Sequence, residues 1–201
     1  RHYARLAMVP CLDPSDAQEA LDYVRLAFDI SEKFDTPVIV RSSTRLSHTR
    51  SPVVLGSRRE VDTKPFNEAP AKNVMIPSHA RLRHPLLIER EEKLRDYFAG
   101  SDLIRAEKGR SDIGIVTLGV PYTYVKEVLP EASILKLGVS YPLPEDTLRK
   151  FAATVDRLFV VEELEPVVES ELQRLGIAVE GKEWFSRVGE FSPESVRAGF
   201  E

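Results

Sequence analysis

The sequence predicts an α/β protein whose mostly parallel sheet is covered by helices on both faces. Within residues 112–166, short apolar runs that end at glycine alternate with amphipathic helical patterns, and this alternation is typical of βαβ units. Proline marks helix starts in the same stretch: Pro144 is followed at once by two acidic residues, which suit the positive end of a helix dipole.

Composition narrows the class of protein. Of the 201 residues, 42% are hydrophobic and 30% are charged, with mean hydropathy −0.23, as in ordinary globular domains. The net charge of −4 argues against a nucleic-acid-binding surface. A single cysteine, Cys11, excludes an internal disulfide framework and fits a reducing cytoplasm. No apolar run approaches the roughly 20 residues that a membrane helix needs, so we expect a cytoplasmic chain that does not bind membranes.

The first predicted element is a helix over residues 15–34. Ser15 and Gln18 form a capping-box pattern behind Pro14. We expect one apolar face at the three-four spacing to pack on the core. The predicted core face consists of Ala17, Ala20, Leu21, Val24, Ala27 and Phe28. Residues 38–40 then form a short apolar run typical of a buried parallel strand.

A polar, basic segment follows this strand over residues 41–50. Loops at the carboxyl edge of a parallel sheet are where α/β proteins place ligand contacts, and the planar fork of arginine suits a carboxylate or a phosphate. The alternative is a solvated loop whose hydroxyl groups cap the next turn.

Residues 56–85 contain four prolines, which predict an irregular connector with one short strand at residues 74–76. A helix is predicted over residues 85–99, with favourable Glu89–Lys93 and Glu91–Arg95 pairs. His79 and His84 are five residues apart, which does not place two imidazoles on one helical face. We therefore predict no metal site here.

The second half of the chain carries the βαβ pattern. Strands are predicted at residues 113–118, 133–137, 158–161 and 177–179, with helices at 122–129, 144–154 and 167–175. Glu162, Glu163 and Glu165 follow the third of these strands. Such a cluster is consistent with a general base or with solvated carboxylates at the end of a strand, and we favour the solvated carboxylates. Trp184 and Phe185 are expected to pack between domains.

The ordered series of blocks resembles a known family. Residues 112–166 resemble the C-terminal domain of the transketolase superfamily. Together with residues 14–41, 45–48 and 74–85, they closely resemble the α subunits of indolepyruvate ferredoxin oxidoreductases, which belong to the thiamine diphosphate-dependent 2-oxoacid:ferredoxin oxidoreductases. The resemblance runs from about Tyr3 to Val188.

This resemblance implies a domain division. Residues 1–56 would be the C-terminal part of a pyrimidine-binding domain, 57–110 a connector with one helix, 111–189 a transketolase C-terminal-like domain, and 190–201 a boundary tail. It also implies an internal fragment. We expect the glutamate that activates thiamine to precede Arg1, because the family places it earlier in the pyrimidine-binding domain.

The implied parent reaction is the oxidative decarboxylation of indolepyruvate and other arylpyruvates to aryl-acetyl coenzyme A. Thiamine diphosphate, magnesium and iron–sulfur clusters would be its cofactors, and a β subunit, ferredoxin and coenzyme A its partners. The chain itself has no Gly-Asp-Gly motif and no Cys-x-x-Cys cluster, so we expect it to hold no cofactor, to contain no catalytic residue and to be inactive alone. Alternatives are a pyruvate or 2-oxoglutarate enzyme, or a non-catalytic assembly module in residues 111–189.

The resemblance also selects site residues from the basic segment. It places Arg41, Arg45, Ser47 and His48 near the cofactor or the carboxylate of the 2-oxoacid. Arg81, Arg83 and His84 are weaker candidates for a phosphate of coenzyme A, and a solvated basic segment is the preferred interpretation. The apolar strand and helix face of residues 1–56 predict self-association of the isolated chain.

Overall fold

A computed structural model describes all 201 residues, and its main sheet has the predicted character. The four strands are β3 (Ile104–Glu107), β4 (Arg110–Leu118), β5 (Ala132–Leu137) and β7 (Arg157–Val161), in the order β3-β5-β4-β7. Strand β4 pairs in parallel with both β5 and β7, whereas β3 is antiparallel to β5 at the edge. The predicted α/β class with a mostly parallel sheet is confirmed.

Helices cover both faces of this sheet. Apolar residues of α7 (Glu145–Ala152) and α8 (Val167–Arg174) pack on one face, against Val116, Leu135 and Val160. Helices α6 (Pro121–Val128) and α9 (Pro193–Ala198) pack on the other, against Ile115 and Ile134. Successive strand residues point to opposite faces, so both must be apolar and the strands become continuous hydrophobic runs.

A second, smaller sheet lies beside the first. It joins β2 (Ile39–Val40), β1 (Cys11–Leu12) and β6 (Val139–Tyr141), with β1 and β2 parallel and β6 antiparallel to β1. Helix α1 (His2–Ala7) contributes to a cluster on one side, and α2 (Ala17–Phe34) with α5 (Pro77–Ala99) to a cluster on the other. Only Gly138 separates β5 from β6, so one continuous segment links the two sheets.

Helix α2 corrects the predicted cap and core face. Asp16, rather than Ser15, is the N-cap, because its carboxylate accepts the hydrogen bond from the Glu19 amide. The buried side chains are Glu19, Tyr23 and Ile30. Ala27 packs on the cluster around Tyr23 and Ile30 as predicted, but Val24 and Phe28, which were also predicted to be in the core, are 46% and 68% exposed.

The connector is more helical than predicted. It contains the short helix α4 (Pro70–Asn73), and residues 74–76 form no strand. The basic segment over residues 41–50, which was predicted as a loop, also contains a helix, α3 (Thr44–His48). Helix α5 begins at Pro77, eight residues before the predicted start, and accommodates Pro85 in its interior. The predicted Glu89–Lys93 and Glu91–Arg95 pairs are confirmed, at 2.6 and 3.0 Å.

The predicted solvated strand end after β7 is wrong for two of its three glutamates, since Glu162 is fully buried and Glu163 is 8% exposed, whereas Glu165 is exposed as predicted. Glu162 accepts the amides of Val168 and Glu169 at 2.9 and 3.0 Å, which satisfies donors at the start of α8. Its other oxygen pairs with Arg1 at 2.7 Å. These carboxylates therefore hold elements together.

The remaining C-terminal elements are less regular than a fourth strand and a tail. Residues 177–179 form no strand, and only an isolated bridge between Phe159 and Glu180 extends the sheet there. Helix α9 places Val196 in the core beside Phe185. The division at residues 56, 110 and 189 remains a proposal. Strand β6, in the piece 111–189, pairs with β1, in the piece 1–56.

Candidate functional site

A cleft of about 400 Å³ opens where the carboxyl end of β4 meets the helices that follow β1 and β2. One wall is the start of α2, a second is α3 with the segment after it, and the third is the start of α6. The lining residues are Ser15, Asp16, Ala17, Arg45, Leu46, Thr49, Ser51, Val120, Thr123 and Tyr124. This is the edge at which α/β sheets bind ligands.

Arg41 is fixed behind this cleft by a buried carboxylate. Asp13 follows β1 directly and is 1% exposed, while Arg41 follows β2 and its amide donates to the Leu12 carbonyl at 2.8 Å. The parallel pairing of β1 and β2 therefore brings the two side chains together. Arg41 Nη1 lies 3.0 Å from Asp13 Oδ1, and Asp13 Oδ2 is buried with no protein partner. Asp13 contacts the Arg41 guanidinium from one side, and the guanidinium keeps further N–H donors.

Gly119 makes this approach feasible. It ends β4 with a φ of 61°, in the left-handed region that favours glycine. A Cβ at this position would lie 2.8 Å from Asp13 Oδ1 and 3.9 Å from Arg41 Nη1. A side chain here would displace the buried carboxylate and the arginine it holds.

The structure separates the four predicted site residues into two groups. Arg41 lies behind the cleft and Arg45 lines it, the latter 3.1 Å from the exposed Glu190. Ser47 shares a hydrogen bond of 2.7 Å with the Ser42 hydroxyl, and His48 is exposed at the last turn of α3. Neither Ser47 nor His48 is among the lining residues.

A charged network, in which Glu19 and Lys136 are buried and Arg105 is partly exposed, supports the α2 wall. Arg105, Lys136 and Thr117 are register partners across three adjacent strands, so two cations stand side by side on one face of the sheet. Glu19 bridges them, with Oε1 2.9 Å from Arg105 and Oε2 2.5 Å from Lys136. Like charges in cross-strand positions are unfavourable, and a carboxylate between them relieves the repulsion.

The same carboxylate holds the start of the cleft wall. Glu19 Oε2 also accepts from the amide and the hydroxyl of Ser15, at 2.9 and 2.7 Å. Tyr23, one turn further along α2, bonds to Lys136 Nζ at 2.8 Å. The position of Ser15 relative to the sheet is therefore set by a residue in the middle of β5.

Burial and charge act against each other in this network. Burial disfavours the Glu19 carboxylate, but attraction to Lys136 and the hydrogen bonds from Lys136 and Ser15 outweigh it, so the pKa of Glu19 lies below its ordinary value. Burial lowers the pKa of Lys136, and the attraction of Glu19 opposes that shift. Nearby, burial and the bond to Glu107 raise the pKa of Tyr122 to about 12.

Sequence reasoning missed Asp13, Glu19 and Lys136. One signal was available for Asp13, which follows an apolar pair that forms a strand, as Arg41 does. Lys136 lies inside the apolar run of β5, and nothing in the sequence indicated its partner. Elsewhere, Arg81 is exposed on α5, Arg83 is half-buried, and His79 Nδ1 lies 2.8 Å from the Val74 carbonyl oxygen.

The structure has neither a cluster of metal-binding side chains nor a membrane-spanning helix. No group of three or more histidine, cysteine, aspartate or glutamate side chains is arranged to hold a metal ion. None of the helices combines the length and the apolar character needed to cross a membrane.

Comparisons with known proteins agree with the resemblance found in the sequence. No family model matches the chain. It is 40% identical over 184 residues to indolepyruvate oxidoreductase subunit IorA of Archaeoglobus fulgidus, covering 89% of this chain and 30% of that protein. The IorA subunit of Pyrococcus horikoshii is 41% identical over 213 residues, covering 96% of this chain and 32% of that protein. The predicted resemblance is confirmed, and the chain spans about a third of the length of these oxidoreductase subunits.

More distant matches extend the comparison. Subunit KorA of 2-oxoglutarate synthase from A. fulgidus is 31% identical over 186 residues, covering 82% of this chain and 52% of that protein. Among solved structures, 2-oxoglutarate:ferredoxin oxidoreductase from Magnetococcus marinus superposes with a TM-score of 0.66 at 15% identity, covering 94% of this chain and 41% of that one. At that identity the superposition shows a shared fold.

Proposed function

We propose that this chain, a relative of the IorA subunits, is part of an enzyme that oxidatively decarboxylates indolepyruvate and other arylpyruvates to aryl-acetyl coenzyme A, with ferredoxin as electron acceptor. One observation carries the choice of substrate class. Against two proteins of the same organism, A. fulgidus, the chain is 40% identical to the indolepyruvate subunit and 31% identical to the 2-oxoglutarate subunit over stretches of similar length.

The second candidate is an enzyme for another 2-oxoacid, either 2-oxoglutarate or pyruvate. The 31% identity to KorA, a subunit of 2-oxoglutarate synthase, supports 2-oxoglutarate as the alternative substrate. Turnover of the complete enzyme on indolepyruvate, phenylpyruvate, pyruvate and 2-oxoglutarate separates the candidates by kcat/KM. We expect the aryl substrates to lead, and a strong preference for pyruvate or 2-oxoglutarate would refute the aryl assignment.

The contribution proposed for this chain is binding of an anionic group at the cleft. Arg41 is oriented by buried Asp13, and Arg45 is half exposed and paired only with the exposed Glu190. A surface pair of this kind is weak, so Arg45 can exchange Glu190 for a ligand carboxylate or phosphate at little cost. Ser47 and His48 remain proposed neighbours of that group, at the outer side of α3.

The residues present do not fit the implied cofactors. Magnesium bound to a diphosphate needs carboxylate or amide oxygens, and no acidic cluster of this kind occurs. Cys11 is the only cysteine and is buried, so no iron–sulfur cluster fits within this chain. Thiamine diphosphate, magnesium and the clusters are therefore proposed only for other parts of the parent enzyme.

Partners follow from the same proposal. A β subunit, ferredoxin and coenzyme A are proposed for the parent enzyme, and the single, buried cysteine supports a reducing cytoplasm as its location. The alternative assembly role of residues 111–189 is retained. Self-association of the chain is supported by Val24 and Phe28, which are 46% and 68% exposed on α2.

The test of the cleft uses Arg45→Met in the complete enzyme, with Arg50→Met as the matched control. Arg50 is exposed in the same segment and does not line the cleft. Losing one hydrogen bond between charged groups is worth about 1.5–3 kcal/mol, so we expect KM for the 2-oxoacid or coenzyme A to rise roughly tenfold or more with Arg45→Met. Equal KM values for both variants and the wild type would contradict the proposed contact.

A further inference from the structure

A trough of about 460 Å³ lies between edge strand β3 and helix α7, near the amino end of β4. It exists because Ala106 is the register partner of Leu135. A methyl group on the edge strand leaves the neighbouring part of the sheet uncovered. Leu135 and Phe151, both members of the main core cluster, form its apolar floor.

The rim of the trough is cationic. Lys108 in the β3–β4 turn and Lys150 on α7 are both exposed and line it. The carboxylate nearest in sequence, Glu107, is turned to the other face of the sheet, where it binds Tyr122 and Lys126, each at 2.6 Å. Neither rim lysine forms an ion pair, whereas Lys126 does.

The rim also offers hydroxyl groups. Ser111 and Thr147 line the trough and make no side-chain hydrogen bond within the chain. Ser133, by contrast, is saturated: its hydroxyl accepts from the Gly109 amide at 3.0 Å and donates to the Arg110 carbonyl at 2.7 Å. The free polar groups thus lie around the mouth, above an apolar floor.

We propose that this trough binds a small organic anion with an apolar body. The ring or branched chain lies over Leu135 and Phe151, and the carboxylate is held between Lys108 and Lys150, with Ser111 or Thr147 donating a hydrogen bond. The volume and the combination of an apolar floor with a few polar groups match small-molecule sites in general. The trough lies on the face of the sheet covered by α7, whereas the Arg41 cleft lies at the carboxyl end of β4, and no residue lines both, so the two sites take separate ligands.

The test uses two probes that differ only in charge, 1-naphthaleneacetate and its neutral amide, 1-naphthaleneacetamide. Calorimetric titration of the chain should show tighter binding of the carboxylate, weakening as salt is added. Amide resonances in a ¹⁵N-labelled sample should shift at Ala106, Gly109 and Thr147. Binding of the amide as tightly as the acid would overturn the anion assignment.

Variants locate the site. Ala106→Leu fills the trough from an exposed position and should abolish binding, whereas Ala153→Leu, which adds the same bulk at an exposed position after α7, should not. Lys108→Gln and Lys150→Gln should each weaken binding about fivefold, which is what one unit charge at about 4 Å is worth in water. Lys93→Gln is the matched charge control. Unchanged affinity in all three trough variants, or resonance shifts confined to the exposed face of α2, would overturn the proposal.

Discussion

Replacing Lys136 with methionine should destabilise the fold by about 3 kcal/mol, even though methionine is apolar and similar in length. Lys136 is fully buried, and its ammonium lies 2.5 Å from Glu19. Removing one member of a buried pair costs about 3–5 kcal/mol, because the other charge is left without compensation. We expect the lower end, since Glu19 retains Arg105 and the two hydrogen bonds from Ser15.

A double-mutant cycle separates this effect from lost packing. Glu19→Gln alone should also cost about 3 kcal/mol, since it leaves the buried ammonium without its carboxylate. Lys136→Met combined with Glu19→Gln should cost about 2 kcal/mol instead of the additive 6, because no uncompensated charge of the pair remains. The exposed Lys93–Glu89 pair is the control, and Lys93→Met should change stability by less than about 0.5 kcal/mol.

The measurement is urea unfolding at several pH values. The pKa of Glu19 is lower in the folded chain than its ordinary value, so the unfolded state binds protons more readily. The stabilisation is therefore full above the unfolded value of about 4.3 and is lost as the pH falls through the folded value. Lys136→Met should weaken this acid-side loss.

Two results would refute the reasoning. One is a single variant, Lys136→Met, as stable as the wild type at pH 7. The other is a double variant whose cost equals the sum of the single ones, since independent sites would then account for the data. A change in the urea m-value would instead indicate an altered denatured state and require a second probe of unfolding.

Three other predictions follow from particular contacts. Gly119→Ala should be more destabilising than Gly176→Ala by about 1 kcal/mol or more. Both glycines have positive φ, but only at Gly119 would the added Cβ meet Asp13. Equal free energies of unfolding for the two variants would contradict this. Glu162→Leu should lower the free energy of unfolding by about 3 kcal/mol or more, because it leaves the amides of Val168 and Glu169 unpaired and Arg1 without its carboxylate. Glu162→Gln can still accept from those amides and should be less destabilising. Identical urea midpoints for the two variants would argue that Glu162 does not cap α8. Calorimetric titration of the chain with thiamine diphosphate and magnesium should show no detectable heat, and a micromolar dissociation constant would mean that a cofactor site has been overlooked.

The sheet was predictable from sequence for a simple physical reason. Strands covered on both faces are mostly apolar, so β4, β5 and β7 stand out as apolar runs between glycine and proline. The antiparallel edge strand β3 was missed because it is only four residues long, although its alternation of apolar and charged groups is typical of a half-buried strand. Helix α5 was predicted to start too late, because Pro77 and Pro85 were both taken as breakers although proline suits a first helical turn.

The errors at the candidate site arise because polar side chains are buried there. Hydrophobic spacing on α2 selected Val24 and Phe28, but the face that meets the sheet carries Glu19 and Tyr23. Patterns of hydrophobicity assume that charges face water, and here the partner of Glu19 is 117 residues away in the chain. Arg41 was selected as a candidate because its polar segment follows a strand, while Asp13, which orients it, is revealed only by the pairing of β1 with β2.

The ion pairs of Glu19 fix α2 in one position on the sheet, which an apolar contact would not do. A leucine-rich face on α2 could slide or rotate over Leu12, Leu103 and Val139 at small cost, since apolar contacts are not directional. Arg105 and Lys136 stand side by side on adjacent strands, so the sheet surface is unfavourable until one carboxylate lies between them. Only Glu19, in the first turn of α2, brings that carboxylate, and the same atom fixes Ser15 at the rim of the cleft. Glu19 therefore ties the start of α2 to the main sheet and, through Ser15, positions one wall of the candidate site.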